Sequence, residues 1–242
     1  MQRRDTCGRN TGPKVWCVVT RRRPARVIVL LLAHRGWHAA AAENSVAAFG
    51  AAVALGVDGI ETDVRVSRDG LPVVIHDRLT PRKRPVADLT RREIESDCGH
   101  AVPLLPEILE AFPDVFWNIE IKSTDAWSVA APVLARFQST RRLLVTSFRH
   151  DVVLRCAQTL EVDCGLLLAE RPLDMRGILA FCATACRVNH AVWDFNIVDD
   201  ELLREVSAAG WKNYAYGVVT LAEYAWCRGA GFAGVILSLI HI

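Results

Sequence analysis

The chain has 242 residues, 51% of them hydrophobic, with 29 basic against 27 acidic side chains and a formal charge of +2. That length and apolar content can bury one large core without disulfide staples, and they suit a single α/β barrel better than two small domains. The basic excess is concentrated in the first 26 positions, notably Arg3-Arg4 and Arg21-Arg22-Arg23, so the near-neutral body has no electrostatic footprint for nucleic acid and small-molecule chemistry is expected.

Met1–Arg26 shows neither periodicity nor motif and is expected to be an irregular leader outside the domain, with a basic tail for membrane-surface docking as the rival reading. Val27–Ala33 follows it as an apolar run after a basic start. It is too short for a signal peptide, lacks a small-residue cleavage site and leads straight into polar residues, so it reads as a buried strand. No stretch approaches the roughly 20 apolar residues of a spanning helix, and a soluble, cytoplasmic protein is expected.

From Val27 onward, eight short β-branched or Leu-rich runs predict strands: Val27–Ala33, Val57–Asp63, Val115–Ile121, Leu143–Ser147, Cys164–Leu168, Val188–Trp193, Asn213–Gly217 and Gly234–Leu237. Between them, helices are predicted at Ser45–Ala54, Leu105–Ala111, Ala126–Phe137, Asp151–Leu160, Pro172–Cys182, Asp199–Ala208 and Leu221–Gly229. Strand-helix alternation specifies a parallel sheet, and eight repeats favour a closed (β/α)8 TIM barrel over an open doubly wound sheet. The alternation breaks at Thr62–Asp77, where two strand-like arms flank Arg68-Asp69-Gly70. Asp-Gly between β-branched residues predicts a hairpin, and symmetric pairing about that step would set Asp63 opposite His76. Arg78–Pro103 is polar and Pro-containing and is expected to form a small excursion over the barrel mouth.

Active sites of such barrels sit at the C-terminal ends of the strands, where this chain places an unusual number of polar residues. The first strand ends in His34-Arg35-Gly36, the second in Glu61-Thr62-Asp63, the hairpin in His76-Asp77, the third in Glu120-Ile121-Lys122 and the fourth in Ser147-Phe148. Glu61 and Asp63 are two apart on a strand and share a face. With Glu120 they make an all-oxygen donor set that suits Mg2+ or Ca2+, although any one of them taken singly reads as a strand-end acid paired with arginine. His34 and His76 would enter the same mouth, where two imidazoles can divide the work of base and acid near neutral pH. His38, His100, His150, His190 and His241 read as structural. Arg35 and Lys122 lie beside the carboxylates, either neutralising them or binding an anionic substrate, and the two roles are compatible. Cys182 and Cys186 could share a helical face as metal ligands, but no second Cys or His pair stands at zinc spacing, so the cysteines read as free and mostly buried.

The strings Ala33-His-Arg-Gly36, Glu43-Asn44, Glu61-x-Asp63-Val64, Asp69-Gly70-x-Pro72-Val-Val-x-His76-Asp77, Glu120-Ile-Lys122 and Ser147-Phe148 resemble, in order and spacing, the bacterial glycerophosphodiester phosphodiesterase family. The resemblance runs from about Val27 to Ile236 and implies a TIM-barrel domain over 27–236. It implies metal-dependent hydrolysis of glycerophosphodiesters to sn-glycerol 3-phosphate and an alcohol, within lipid and glycerol metabolism. Carboxylates matching Glu61, Asp63 and Glu120 would hold a divalent cation, histidines matching His34 and His76 would be catalytic, and Arg35 and Lys122 would bind the substrate phosphate. Glu43, Asn44 and Tyr216 join the candidate site, Tyr216 as a wall of the glycerol pocket or as an ordinary barrel-core tyrosine. In the mechanism that the resemblance implies, a glycerol hydroxyl attacks phosphorus to give a cyclic phosphate, which water then opens.

The chain departs from the family pattern at several points. Ala42 replaces a usual Pro, the excursion lacks a Thr-rich segment, and Tyr216-Gly217-Val218-Val219 stands for an aromatic-Thr-Val-Asn run. Ala233 replaces an Asp in the last strand, and the Thr-Asp that usually follows is absent. Leu237–Ile242 reads like a translated sequencing adapter and is expected to be a non-native tail. A lysophospholipase D-type or sphingolipid phosphodiesterase, which an apolar loop by the site would favour, and an inactive phosphate-ligand binding barrel remain the alternatives.

Overall fold

Alternating short apolar runs and amphipathic stretches fold as strands and helices in the predicted order. The computed structural model describes residues 29–39, 41–184 and 187–238; the leader, Cys186, His241 and residues 239–242 of the expected tail lie outside the described residues. The elements are β1 (Leu30–His34), α1 (Val46–Ala54), β2 (Gly59–Val66), β3 (Pro72–Val74), α2 (Arg91–Cys98), α3 (Leu105–Ala111), β4 (Phe116–Ile121), α4 (Thr124–Phe137), β5 (Arg142–Ser147), α5 (His150–Thr159), β6 (Asp163–Leu168), α6 (Met175–Cys182), β7 (Val188–Asp194), α7 (Asp200–Ala208), β8 (Lys212–Tyr216), α8 (Leu221–Ala230) and β9 (Gly234–Leu237).

Eight of the strands pair in parallel, and β1 bonds both β2 and β9, which closes the sheet into a (β/α)8 barrel and rules out the open alternative. The closing strand reaches Leu237, which pairs with Ala33 and is buried, so the barrel runs one residue into the segment expected to be a tail. Outward-facing strand residues pack with the helices in one large cluster that includes Phe49, Trp117, Leu134, Trp193 and Phe232. Inside the barrel, Leu32, Phe116, Leu144, Leu167, Val192, Tyr214 and Ile236 make a smaller apolar plug. Two residues further along those strands the same inward face turns polar. That alternation places His34, Asn118 and Thr146 directly above the plug. Among the described residues no helix is long and apolar enough to cross a membrane.

The hairpin forms, but its register differs from the symmetric expectation. β3 pairs antiparallel with β2 as Val64↔Val74, Arg65↔Val73 and Val66↔Pro72, which brings Ile75, not His76, opposite Asp63. The loop holds three residues rather than two: Gly70 has φ 72° and donates to Ser67, and Ser67 in turn donates to Leu71 across the loop. A turn closed by a left-handed glycine is the common three-residue hairpin, and it slips the pairing by one position. Because β3 extends β2, Glu61 and Asp63 lie inside a strand rather than at its end.

The excursion after His76 is more ordered than its polarity implied. Helix α2 lies within it, started by a Thr90–Glu93 capping box and ended by Gly99. Val73, Val86, Leu89, Ile94 and Val102 form a satellite core beneath it.

Candidate active site

The β1–α1 loop makes the first part of the site. Arg35 and Asn44 both hold left-handed backbone, with φ 56° and 55°, a conformation uncommon outside glycine and easier for asparagine than for arginine, and their surroundings hold them in it. The surroundings are two backbone bonds: Arg35 donates to Glu61 O and Asn44 donates to Arg35 O. So constrained, the buried Asn44 donates from Nδ2 to Asp63 Oδ2 (2.8 Å) and accepts at Oδ1 from Thr62 (2.7 Å). The Arg35 guanidinium donates to both carboxylate oxygens of Glu43 (3.0 Å each), and its Nε lies 3.3 Å from Asp63 Oδ2.

Strand register assembles the carboxylates. His34 is the partner of Glu61, Glu61 of Asn118, and Asp63 of Glu120, so neighbouring rows of the inner face carry the acids across β2 and β4. One carboxylate oxygen from each of Glu61, Asp63 and Glu120 lies within 4.8 Å of the others, and all three residues are buried. Lys122 Nζ reaches Asp63 Oδ1 (2.7 Å) and Glu120 Oε1 (2.6 Å).

Two cations therefore face three acids, and the balance is uneven. Burial and the charges of Asp63 and Glu120 push the Glu61 carboxyl well above the usual range, and burial also raises Glu120 despite the pull of Lys122. Burial would raise Asp63 too, but Lys122 and Arg35 outweigh it and hold that carboxyl low. The opposed charges likewise keep the Lys122 ammonium raised against its burial. Glu61 Oε2 is buried with no hydrogen-bond partner, which leaves an electron pair free for a ligand. An oxygen-only donor set with an unmet buried acceptor fits a hard divalent cation.

His34 Nε2 is 3.7 Å from Glu61 Oε2, and burial together with Arg35 depresses its imidazole to about 4. His76 would face the helices by strict alternation from Val74, but regular pairing stops at Val74 and the chain bends. The bend turns His76 toward the mouth, and Asp77 Oδ1 contacts its Nδ1 at 2.8 Å. Both histidines, Arg35, Glu61, Glu120 and Lys122 line one cavity of about 250 Å3. Phe148 and Tyr216 wall it as an edge-to-face pair with centroids 6.1 Å apart, and the Tyr216 hydroxyl donates to Leu168 O at 3.4 Å.

All ten candidate residues thus gather at this mouth. Glu43 and Asn44 act on Arg35 and Asp63 rather than opening into the same cavity. Sequence reasoning missed Asn118 and Thr146, which also line it. Asn118 is two residues before Glu120, and the same period-2 rule that linked Glu61 to Asp63 would have found it.

Residues 34–238 match the sequence profile described as the glycerophosphoryl diester phosphodiesterase family. Among similar curated proteins, the one named "Probable glycerophosphodiester phosphodiesterase 2" from Mycobacterium tuberculosis is 36% identical over 164 residues, 61% of this chain and 62% of that protein. The matches to the first such relatives span about three fifths of their length. A crystal structure of glycerophosphodiester phosphodiesterase from Thermotoga maritima superposes with a TM-score of 0.76 at 26% identity, over 88% of this chain and 96% of that one. An Oleispira antarctica phosphodiesterase, solved with its product sn-glycerol-3-phosphate, shares the fold with a TM-score of 0.74 at 21% identity, over 86% and 92% of the two chains.

Proposed function

The chain belongs to the glycerophosphoryl diester phosphodiesterase family, and from that premise we propose that it is a cytoplasmic, cation-dependent enzyme hydrolysing small glycerophosphodiesters to sn-glycerol 3-phosphate and an alcohol. The observation that carries this reading is a cluster of three buried carboxylates at the barrel mouth, two of which, Glu61 and Glu120, line one cavity together with two basic side chains and two imidazoles. Glu61, Asp63 and Glu120 would hold a divalent cation, Mg2+ or Ca2+, which would supply charge neutralisation at the phosphate and acidify the attacking hydroxyl.

The chain's own groups do the rest. Arg35 and Lys122 orient the non-bridging phosphate oxygens, and the Phe148–Tyr216 wall confines the glycerol carbons. His34, beside Glu61, accepts the proton of the attacking glycerol hydroxyl. His76, with Nδ1 held by Asp77, donates from Nε2 to the departing alcohol oxygen. As the new P–O bond forms and the old one breaks, one proton enters His34 and one leaves His76. Water then opens the cyclic phosphate with the proton flow reversed, which restores both rings.

The test is release of glycerol 3-phosphate from glycerophosphocholine, with and without chelator. Turnover should vanish with chelator and return with added cation, and His34→Ala or His76→Ala should each lower kcat by roughly 10²–10⁴. Absence of turnover in every cation, with product still bound, would make the chain an inactive binding barrel instead.

A further inference from the structure

Asn118 is fully buried on the inner face of β4, and its register partner across the sheet is Glu61. Its side-chain oxygen is already used, because Thr146 Oγ1 donates to Asn118 Oδ1 at 2.7 Å. That bond turns the amide nitrogen the other way, and Asn118 Nδ2 is left buried with no hydrogen-bond partner. Glu61 Oε2 is in the same state on the neighbouring strand, and both residues line the same cavity. A donor with no acceptor and an acceptor with no donor, on paired residues, are both costly if left unmet, and one species between them satisfies both.

Thr146 cannot easily turn away from this arrangement. Its Cγ2 methyl lies 3.1 Å from where a Cβ on Gly165 would stand, so the methyl is packed against β6 and the hydroxyl is left facing Asn118. A packed threonine that holds the amide of a residue paired with a ligand in one orientation is the kind of outer contact by which proteins orient ligating groups.

We infer that Thr146 and Asn118 are positioning residues for the cation site, with Asn118 Nδ2 donating to the Glu61 carboxylate, directly or through one water, so that Glu61 presents its other lone pairs to the ion. This rests on the cation-site reading above and adds to it two residues on β4 and β5 that need not touch the substrate.

The experiment is calorimetric titration of the full chain with Ca2+ and with Mg2+ in the absence of substrate, for wild type, Asn118→Ala, Thr146→Val and Glu61→Gln. Thr146→Val keeps the packed methyl and removes only the hydroxyl, so it serves if Asn118→Ala folds poorly. Asn118→Ala should weaken cation binding about 10–100-fold and Thr146→Val by a smaller factor in the same direction. The accompanying loss of turnover should shrink as the cation concentration is raised, which a general packing defect would not do. Unchanged cation affinity in both variants, while Glu61→Gln weakens binding, would overturn this inference and leave the cation site standing. An increase in KM with unchanged cation affinity would overturn it by making Asn118 a substrate contact. If Glu61→Gln also binds the cation as wild type does, the cation-site reading fails and this inference with it.

Discussion

The proposed function gives Lys122 two tasks, counterion and phosphate partner, that a single substitution separates. Only 9% of its side chain is exposed, and its ammonium bridges Asp63 and Glu120 where a phosphate would also lie within reach. Without a cation it is a counterion for those acids, and Lys122→Met leaves Glu120 buried without its ion-pair partner and Asp63 with Arg35 alone. The chelated variant should therefore lose stability, on the order of 3–5 kcal/mol. A bound divalent ion takes over that neutralisation, so in saturating cation the variant should melt close to wild type. Its kcat/KM should still fall by roughly 10²–10³, because charge developing on the phosphate has lost a partner. Melting curves and kinetics in the same buffer check this, and a large stability loss in cation with near-normal kcat/KM would restrict Lys122 to the counterion role. Asn44 illustrates a residue defined by its backbone: its left-handed conformation lets one amide serve Thr62 and Asp63 together.

Loop β1–α1 is the element on which the site depends most for its geometry. Arg35 and Gly36 are both left-handed, and Trp37 donates to Ala48 O, which seats the loop against α1. A Cβ on Gly36 would lie 2.7 Å from the Ala48 carbonyl carbon and 2.8 Å from its oxygen, contacts that α1 backbone cannot relieve by a rotamer change. Gly36→Ala should therefore push the loop off the helix and cost about 1–3 kcal/mol, the range for overpacking at a tight site. Since Arg35 rides on this loop and His34 immediately precedes it at the end of β1, kcat/KM should drop more than stability alone explains. Chemical denaturation and kinetics well below the melting point measure the two effects separately, and wild-type values for both would show that the loop has room to shift. The hairpin is the second decisive element: the bend after β3 turns His76 into the mouth despite the one-residue difference in register.

For the whole molecule, the proposed cation site would tie β2 to β4, two neighbouring staves of a barrel that closes only when β1 meets β9. An ion that binds this folded arrangement and not the unfolded chain adds stability by mass action. At a concentration 100 times its Kd the gain is about 2.7 kcal/mol. For a domain of this size that amounts to roughly 5–10 °C in Tm, which chelator should reverse and Glu61→Gln should abolish. An unchanged Tm with millimolar Mg2+ and with millimolar Ca2+ would argue against a carboxylate-bound ion.

Much of the barrel was legible locally, because backbone geometry repeats. A period of two along a strand puts Glu61 with Asp63 and Glu120 with Lys122 on shared faces, and alternating runs announce eight parallel strands before any contact is known. Asp69-Gly70 announces a reversal for a similar reason, since left-handed backbone at Gly70 suits a tight turn. What the sequence left undetermined are relations between segments. The one-residue slip of the hairpin depends on whether the loop holds two residues or three, which pairing with β2 decides. Helix α2 has mostly polar residues and is stabilised by burying Ile94 against Val73, Val86 and Leu89, contacts that no local pattern reveals. The row His34–Glu61–Asn118 exists because barrel closure and stagger set three strands in that register, so long-range backbone pairing determines which polar groups meet at the mouth.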